Sequence, residues 1–335
     1  MGAYLARRLG YAVITSLAIS LIAFLIVQLP PGDFATFYVQ SLLGAGQGAG
    51  ASGNILGDPA LEAQLRADFG LDRPVPIQYL KWLQRIVSGD WGMSFAFGRP
   101  IAEVIADRLA NTLILAVGTI LFTWILAIPI GIYSAVHHNT PQDYAVTFIG
   151  FLGLAVPNFL LGLILLWSGA LVFGWEIGGL YSPEYLNQPW TWAKFTNMLR
   201  HLIAPAIVLG TAGTAALIRV MRNNLLDELG KQYVMSARAK GVAEWKLIFK
   251  YPVRLAFNPF ISTMGYLLPF LLSGDVIVST VLSLPTVGPV LLRAILSEDL
   301  YLASTIFLWL GMLTVIGTLI SDLLLAITDP RIRLS

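Results

Sequence analysis

The side chains that most often do chemistry are scarce in this sequence, and none stands at a spacing typical of an active site. The 335 residues contain no cysteine, and the three histidines are too few and too badly spaced for a metal site: His137, His138 and His201. No G-x-x-x-x-G-K-[ST], H-E-x-x-H or G-x-S-x-G pattern occurs, so the sequence gives no basis for ATP hydrolysis, metalloproteolysis or a serine hydrolase. We therefore expect a protein that is not an enzyme, that holds no metal or cofactor of its own, and that takes its energy from elsewhere.

Two carboxylates lie inside strongly apolar segments, where a charge could take part in transport. Asp275 and Asp322 would each cost roughly 2.5 to 3.5 kcal/mol at the centre of a membrane helix, so each should face protein or water rather than lipid. Asp275 lies toward the outer end of its segment, where it would either pair with Arg293 or line a pathway, and both interpretations stay open. Asp322 lies near the inner end and close in sequence to Arg331 and Arg333, which favours pairing or capping.

Composition and hydropathy define the elements that must carry these residues. Hydrophobic residues make up 56% of the chain and charged residues only 12%, which is far too apolar for an ordinary soluble domain. An apolar run of about 20 residues is long enough to cross a bilayer. The sequence predicts six such helices, at 9–29, 111–135, 144–173, 201–220, 259–282 and 301–327. The predicted fold is therefore all-α, a polytopic membrane protein with six transmembrane helices.

These helices divide the chain into three parts. An N-terminal membrane helix occupies 1–30, a large extracytoplasmic loop region occupies 31–110, and a five-helix core in 111–335 contains a basic loop at 225–257. A glycine-rich tract at 44–57 has almost no side chains to pack, so we expect a mobile insertion there. Lys and Arg are more than twice as dense in the segments on the N-terminal side of the membrane as in the opposite loops, which predicts cytoplasmic termini and a cytoplasmic basic loop.

Proline and glycine mark three candidate positions along a translocation pathway. Pro157 stands inside the third predicted helix, where it removes a backbone hydrogen bond and predicts a kink. Gly210 and Gly213 stand among other small residues in the fourth helix, which would let a second helix approach closely. That helix is therefore predicted to be an interface or to line a pore, and Asp275 joins these residues as a pathway candidate.

The basic segment 219–257 is the longest polar stretch between the later apolar runs. It is therefore expected to lie outside the membrane core and to contact the lipid surface or another protein. Apolar residues at helical spacing predict a helix that ends at Gly241: Leu225, Leu226, Leu229, Tyr233 and Ala237. A second short helix is predicted at 242–251, with Trp245, Ile248 and Phe249 on one face. This helix–turn–helix would either lie on anionic lipid or dock a soluble partner.

One block within this segment carries a family resemblance. It reads Tyr233-Val234 and then Ala237-Arg238-Ala239-Lys240-Gly241. The block resembles the "EAA" coupling loop of ABC importer permeases, in the form used by the dipeptide, oligopeptide and nickel branch. Where the general pattern begins Glu-Ala-Ala, this chain has Met235, Ser236 and Ala237, so the branch-specific form carries the match. The resemblance implies that this block, together with Trp245 and Phe249, contacts the ATPases.

The resemblance extends over nearly the whole chain, through His201-Leu202-x-x-Pro205, Arg219-x-x-Arg222, Asp322 and Asp329-Pro330-Arg331. It implies the first permease subunit of a binding-protein-dependent importer in the cytoplasmic (inner) membrane. The implied partners are a second permease in a heterodimer, two cytoplasmic ABC ATPases, an extracytoplasmic solute-binding protein and the lipid bilayer, with no nucleic acid.

The resemblance indicates the type of transporter more clearly than it indicates the transported solute. Peptide-type members usually have an acid followed by Thr-Val-Phe and then Pro-Gly, whereas this chain has Ser279-Thr280-Val281-Leu282 and then Pro285-Thr286. We therefore expect di- or oligopeptides, with oligosaccharides as the alternative. An ion-coupled secondary transporter is a remote alternative, because it would need more intramembrane acids and an inverted repeat.

Overall fold

A computed structural model describes residues 2–44, 59–174, 177–186, 188–263 and 276–328. The described chain is helical almost throughout, apart from one two-residue strand pair in which Met93 faces Pro100 and Ser94 faces Arg99. The predicted all-α, polytopic fold is confirmed. The elements are α1 Gly2–Val27, α2 Phe34–Gly44, α3 Pro59–Phe69, α4 Val75–Ser88, β1 Met93–Ser94, β2 Arg99–Pro100, α5 Ile101–Val136, α6 Pro141–Ala155, α7 Asn158–Ser168, α8 Trp192–Leu229, α9 Gln232–Ala239, α10 Glu244–Lys250, α11 Pro252–Ala256, α12 Val276–Val281, α13 Val287–Leu296 and α14 Leu300–Thr328.

Four of these helices are long and apolar enough to cross a membrane: α1, α5, α8 and α14. A fifth candidate is the bent pair α6 and α7, if the two helices together form one span. The predicted span at 259–282 falls partly outside the described residues, as do Asp275 and the glycine-rich tract. The number six therefore stays a prediction.

The third predicted span is broken rather than kinked. α6 ends at Ala155, α7 begins at Asn158, and their axes differ in direction by 96°. Val156 and Pro157 between them both have extended backbone angles, with ψ of 121° and 134°. Proline disfavours helical geometry in the residue before it and removes one N–H, and here the two effects together end the first helix. The predicted kink at Pro157 is thus corrected to a break.

The chain forms two compact units, and the first comprises residues 1–110 and 286–315. Its core includes Trp82 of α4, which is buried, packs on Phe24 and donates its indole N–H to Thr305 Oγ1 at 3.1 Å. Asp299 is fully buried and accepts hydrogen bonds from the Ser94 hydroxyl at 2.7 Å and from backbone N–H groups, including that of Leu302 at 3.2 Å. Burial raises the pKa of Asp299, and these donors offset part of that cost.

The second unit comprises residues 111–285 and 316–335. Its core lies where α5 and α8 pack together with the segment that follows the basic loop. The fully buried members of this cluster are Ala127, Ala135, Met221, Leu225, Ala256 and Phe260. Met221 precedes the loop, Leu225 and Ala256 lie at its two ends, and Phe260 follows it. Both ends of the loop are therefore fixed in one core.

Candidate functional site

The basic loop at 225–257, here called the coupling loop, contains three short helices rather than two. α8 continues through Leu225 to Leu229, nine residues beyond the predicted end of its span. Gly230 then ends the helix, and Lys231 is extended with φ −75° and ψ 149°. The single helix predicted from Leu225 to Ala237 is therefore divided in two, because a glycine at this point lowers helix propensity and the chain turns there.

The turn between α9 and α10 depends on Gly241. This residue has φ +76°, and its N–H donates to Arg238 O at 3.0 Å while Val242 N–H donates to Ala237 O at 3.3 Å. A Cβ built at Gly241 would meet no atom within 4 Å. The position therefore requires glycine for its backbone conformation and not for lack of space.

The loop has a small apolar core of its own. Val234 and Leu247 are fully buried and Ile248 is nearly so. The side chains packed around them are Leu229, Ala237, Val242 and Val253. The prediction that Ile248 shares one face with Trp245 and Phe249 is wrong, because Ile248 is buried in this core beside Leu247 while the two aromatic side chains are exposed. The core holds α9, α10 and the start of α11 as one folded body.

The outer side of the same body presents two large aromatic side chains. Trp245 is 70% exposed and Phe249 is 59% exposed, and their spacing of four residues places them next to each other on α10. Tyr233 and Met235 of α9 are also exposed. Large exposed apolar side chains on a polar segment are typical of a surface that another molecule covers.

Charged side chains are exposed on the same two helices. Lys240, at the end of α9, and Lys246 of α10 are exposed, as is the small side chain of Ala239. Tyr233 donates its hydroxyl to Glu228 Oε2 at 2.6 Å, and partial burial together with this hydrogen bond raises the pKa of Tyr233. The phenol therefore stays protonated at neutral pH and can act as a fixed donor. The surface as a whole is cationic and aromatic.

The pathway candidates occupy three different environments. A Cβ at Gly210 would lie 2.8 Å from Cδ1 of Phe122, so α8 meets α5 there with no room for a side chain, whereas the nearest atom at Gly213 is 3.8 Å away on Thr123. Pro157 is exposed at the break between α6 and α7. A pathway role for these residues, and for Asp275 outside the described ranges, stays a prediction.

Sequence reasoning singled out Arg222 but did not find its partner. The structure joins Arg222 to Asp143 in the first turn of α6, at a place 79 residues earlier in the chain. The available signal was an acid that follows a helix-starting Thr140-Pro141 and then leads directly into an apolar segment.

A second candidate surface lies in the first unit, around a cavity of about 860 Å³. Its lining includes four aromatic side chains, Trp82, Trp91, Phe95 and Tyr301. Three exposed cations line it, Arg73, Lys81 and Arg85, and none of them lies in an ion pair within the described part of the chain. Two carboxylates, Asp68 and Asp90, share the lining, which leaves an excess of positive charge.

Comparison with known proteins gives matches across both units. The family described as "Binding-protein-dependent transport system inner membrane component" matches residues 127–334, and its N-terminal companion matches residues 1–116. The oligopeptide transport system permease protein AppB of Bacillus subtilis is 36% identical over 335 residues, which cover 99% of this chain and 100% of AppB. The peptidoglycan transport system permease protein YejB of Agrobacterium fabrum is 30% identical over 359 residues, with 99% and 98% covered.

Proposed function

Because this chain belongs to the family of binding-protein-dependent transport system inner membrane components, we propose that it lines the route by which an ATP-driven importer moves short peptides into the cell. The chain itself is a permease subunit of an ABC transporter and not an enzyme, and the ATPase activity lies in separate subunits. The family also implies a solute-binding protein as a partner.

The single observation that carries the mechanism is the aromatic pair on the outside of the folded coupling loop. Trp245 and Phe249 stand on a body that its own core holds rigid, and the ends of that body are anchored beside α5 and α8. Buried aromatic side chains supply much of the energy of protein interfaces. In our proposal this pair inserts into a groove on one of two cytoplasmic ATPases.

A rigid docking body explains how a distant ATPase could drive the spans. When the ATPases close on ATP, the docked loop moves as a unit, and helices fixed to it switch between inward-open and outward-open packings. A second, related permease would supply the other half of the pathway and the other coupling loop, giving a heterodimer. The matched pair of loops would then grip the two ATPases symmetrically.

The orientation that this mechanism needs has the coupling loop and both termini in the cytoplasm. The distribution of Lys and Arg supports it. Because the sequence contains no cysteine, Lys240→Cys and Lys81→Cys each create a single thiol. In intact cells, a membrane-impermeant thiol reagent should label the second and not the first. The opposite labelling pattern would contradict the proposed orientation.

A peptide is the solute that we propose. The 36% identity with an oligopeptide permease over its full length supports it, and the similarity to YejB makes a peptidoglycan-derived fragment the second candidate. The test is uptake of a labelled tripeptide by proteoliposomes that contain the complete complex, ATP and the cognate binding protein. Competition by an unlabelled peptide supports the proposal, whereas competition by a peptidoglycan fragment alone selects the second candidate.

The cavity of the first unit is the surface that we propose for the binding protein. The cations, which have no ion-pair partner among the described residues, and the aromatic lining suit an acidic segment with an apolar side chain. Attraction between exposed charges increases the association rate and weakens with salt. Binding of the two proteins should therefore be strongest at low ionic strength.

A further inference from the structure

We propose that the ion pair between Asp143 and Arg222 connects α6 to α8, so that a movement of the coupling loop also moves α6. Both residues are then positioning residues for transport. The inference rests on the proposed ATP-driven function and adds a step to it. The loop meets the ATPases outside the membrane, and something must carry its movement to helices that do not contain it. The ion pair lies between α8, which continues into the loop, and α6, which does not.

The geometry of the pair is that of a fixed joint. Arg222 donates from Nε to Asp143 Oδ1 at 2.8 Å and from Nη2 to Oδ2 at 2.6 Å, so the two groups meet through two parallel hydrogen bonds. The side chain of Asp143 is 2% exposed and that of Arg222 is 23% exposed. Paired bonds of this kind fix direction as well as distance, which a single contact does not.

The Asp143 carboxylate also accepts hydrogen bonds from the end of α5 and from the turn that follows it. The Ser134 hydroxyl, from the last turn of α5, donates to Asp143 Oδ1, and the backbone N–H of Asn139 in the following turn donates to Oδ2 at 3.0 Å. Asn139 has φ +59°, which brings its N–H toward the carboxylate. One buried group therefore joins α5, the turn after it, α6 and α8.

Arg222 stands one turn before the coupling loop on a helix that does not break until Gly230. Leu225, three residues later on the same helix, is fully buried in the core that also holds Phe260 after the loop. A displacement of the loop therefore displaces Arg222, and Asp143 must follow it or the ion pair must break. Because burial makes a lone charge costly, the pair stays together and α6 moves with α8.

The exposed ion pairs of Arg99 make a useful contrast. Arg99 contacts Glu103 and Asp107 through side chains that are all half exposed, and these residues lie within ten positions of one another. Such pairs contribute little to stability, and these connect only residues that are close in the sequence. The Asp143–Arg222 pair is buried and connects separate helices, which is the arrangement expected of a mechanical joint.

The test compares Asp143→Asn, Arg222→Gln and the double variant in the complete complex, in proteoliposomes with the cognate binding protein. The double variant leaves no buried charge without a partner, so it separates loss of the ion pair from the harm done by a lone charge. Two quantities are measured: retention of the ATPases, and the factor by which the binding protein stimulates ATP hydrolysis. The second quantity requires no knowledge of the solute.

We expect all three variants to retain the ATPases and their basal hydrolysis, while stimulation by the binding protein falls by about five-fold or more. The control Asp107→Asn, which removes an exposed paired carboxylate, should leave stimulation unchanged. Unchanged stimulation in the double variant, or loss of ATPase retention in both single and double variants, would overturn the proposal. A wild-type complex without stimulation would count against the proposed import function instead.

Discussion

Arg238 and Glu244 face each other across the turn at Gly241. The guanidinium of Arg238 donates from Nε to Glu244 Oε2 at 3.0 Å and from Nη2 to the other carboxylate oxygen, and both side chains are half exposed. The hydrogen bonds from Arg238 lower the pKa of Glu244, so the carboxylate remains charged throughout the neutral range. An exposed pair of this kind is weak, but it adds to the glycine turn in setting the angle between α9 and α10.

Gly241→Val should leave the protein in the membrane and abolish uptake. A β-branched residue at φ +76° costs about 1 to 3 kcal/mol, and the turn relieves that strain by re-aiming α10 and its two aromatic side chains. The measurement is uptake per inserted molecule. Gly230→Ala is the matched control, because Gly230 has φ −79° and should accept alanine. Normal uptake by Gly241→Val would show that the turn geometry is irrelevant.

Trp245→Ala and Phe249→Ala should each release the ATPases from the complex. Both side chains are mostly exposed, so neither change disturbs the loop core, and truncating a central aromatic at an interface typically costs about 2 kcal/mol or more. A pull-down of the ATPases measures the effect, with Val87→Ala on α4, which lies outside the coupling loop, as the exposed apolar control. If the loop instead lies on lipid, Trp245→Ala would weaken its membrane contact and leave ATPase retention intact.

Tyr233 should ionise at a higher pH than an ordinary tyrosine. Burial and the hydrogen bond to Glu228 raise its pKa, so the neutral phenol stabilises the folded loop below the ordinary tyrosine pKa. This contribution is lost as the pH rises through the raised value. A spectroscopic titration of wild type against Tyr233→Phe isolates the transition. A difference signal centred at the ordinary tyrosine pKa would contradict the expected shift.

Gly210→Ala should destabilise the packing of α8 on α5, and Gly213→Ala should not. The added methyl group at Gly210 would approach Phe122 to 2.8 Å, and overpacking of this kind costs about 1 to 3 kcal/mol. At Gly213 the nearest neighbour stands at an ordinary contact distance, so higher helix propensity makes alanine neutral or slightly favourable. Thermal unfolding in detergent compares the two. Equal melting temperatures would mean that the helices shift apart without cost.

Lys81→Glu combined with Arg85→Glu should slow binding of the solute-binding protein and remove the acceleration of binding at low ionic strength, because the local charge is reversed. The two cations stand four residues apart on α4 and line the cavity of the first unit without a counter-ion in the described ranges. Association rates at several ionic strengths measure the effect. Arg99→Glu is the control, since Arg99 is already paired with carboxylates. An unchanged rate in the double variant would place the docking surface elsewhere.

Local sequence rules were sufficient for the outline of the coupling loop. A glycine at the end of a periodic apolar run correctly predicted that a helix ends at Gly241, where the backbone has a positive φ, because that requirement is local to the backbone. The rules failed at Ile248. In a seven-residue helix, the pattern of Trp245, Ile248 and Phe249 fits an outward face as well as any other, and the choice depends on where Val234 packs from the neighbouring helix.

The partner of Arg222 was beyond local rules for the same reason. An acid in the first turn of a helix is normally explained by the helix dipole, and nothing near Asp143 in the sequence points to a cation 79 residues later. The break at Pro157 was predicted only as a kink, because the extent of a bend depends on what satisfies the freed backbone groups. Long-range packing decides these features, and a single sequence does not contain it explicitly.

The break between α6 and α7 is a place that the acyl chains of the lipid should not contact. The last carbonyls of one helix and the first amides of the next have no partners within their own helices, and fatty acyl chains offer them none. Pro157 and Phe159 are exposed on the isolated subunit at this elbow. In the assembled transporter the elbow must therefore be screened from acyl chains, either by another protein surface or by water that has penetrated to this depth.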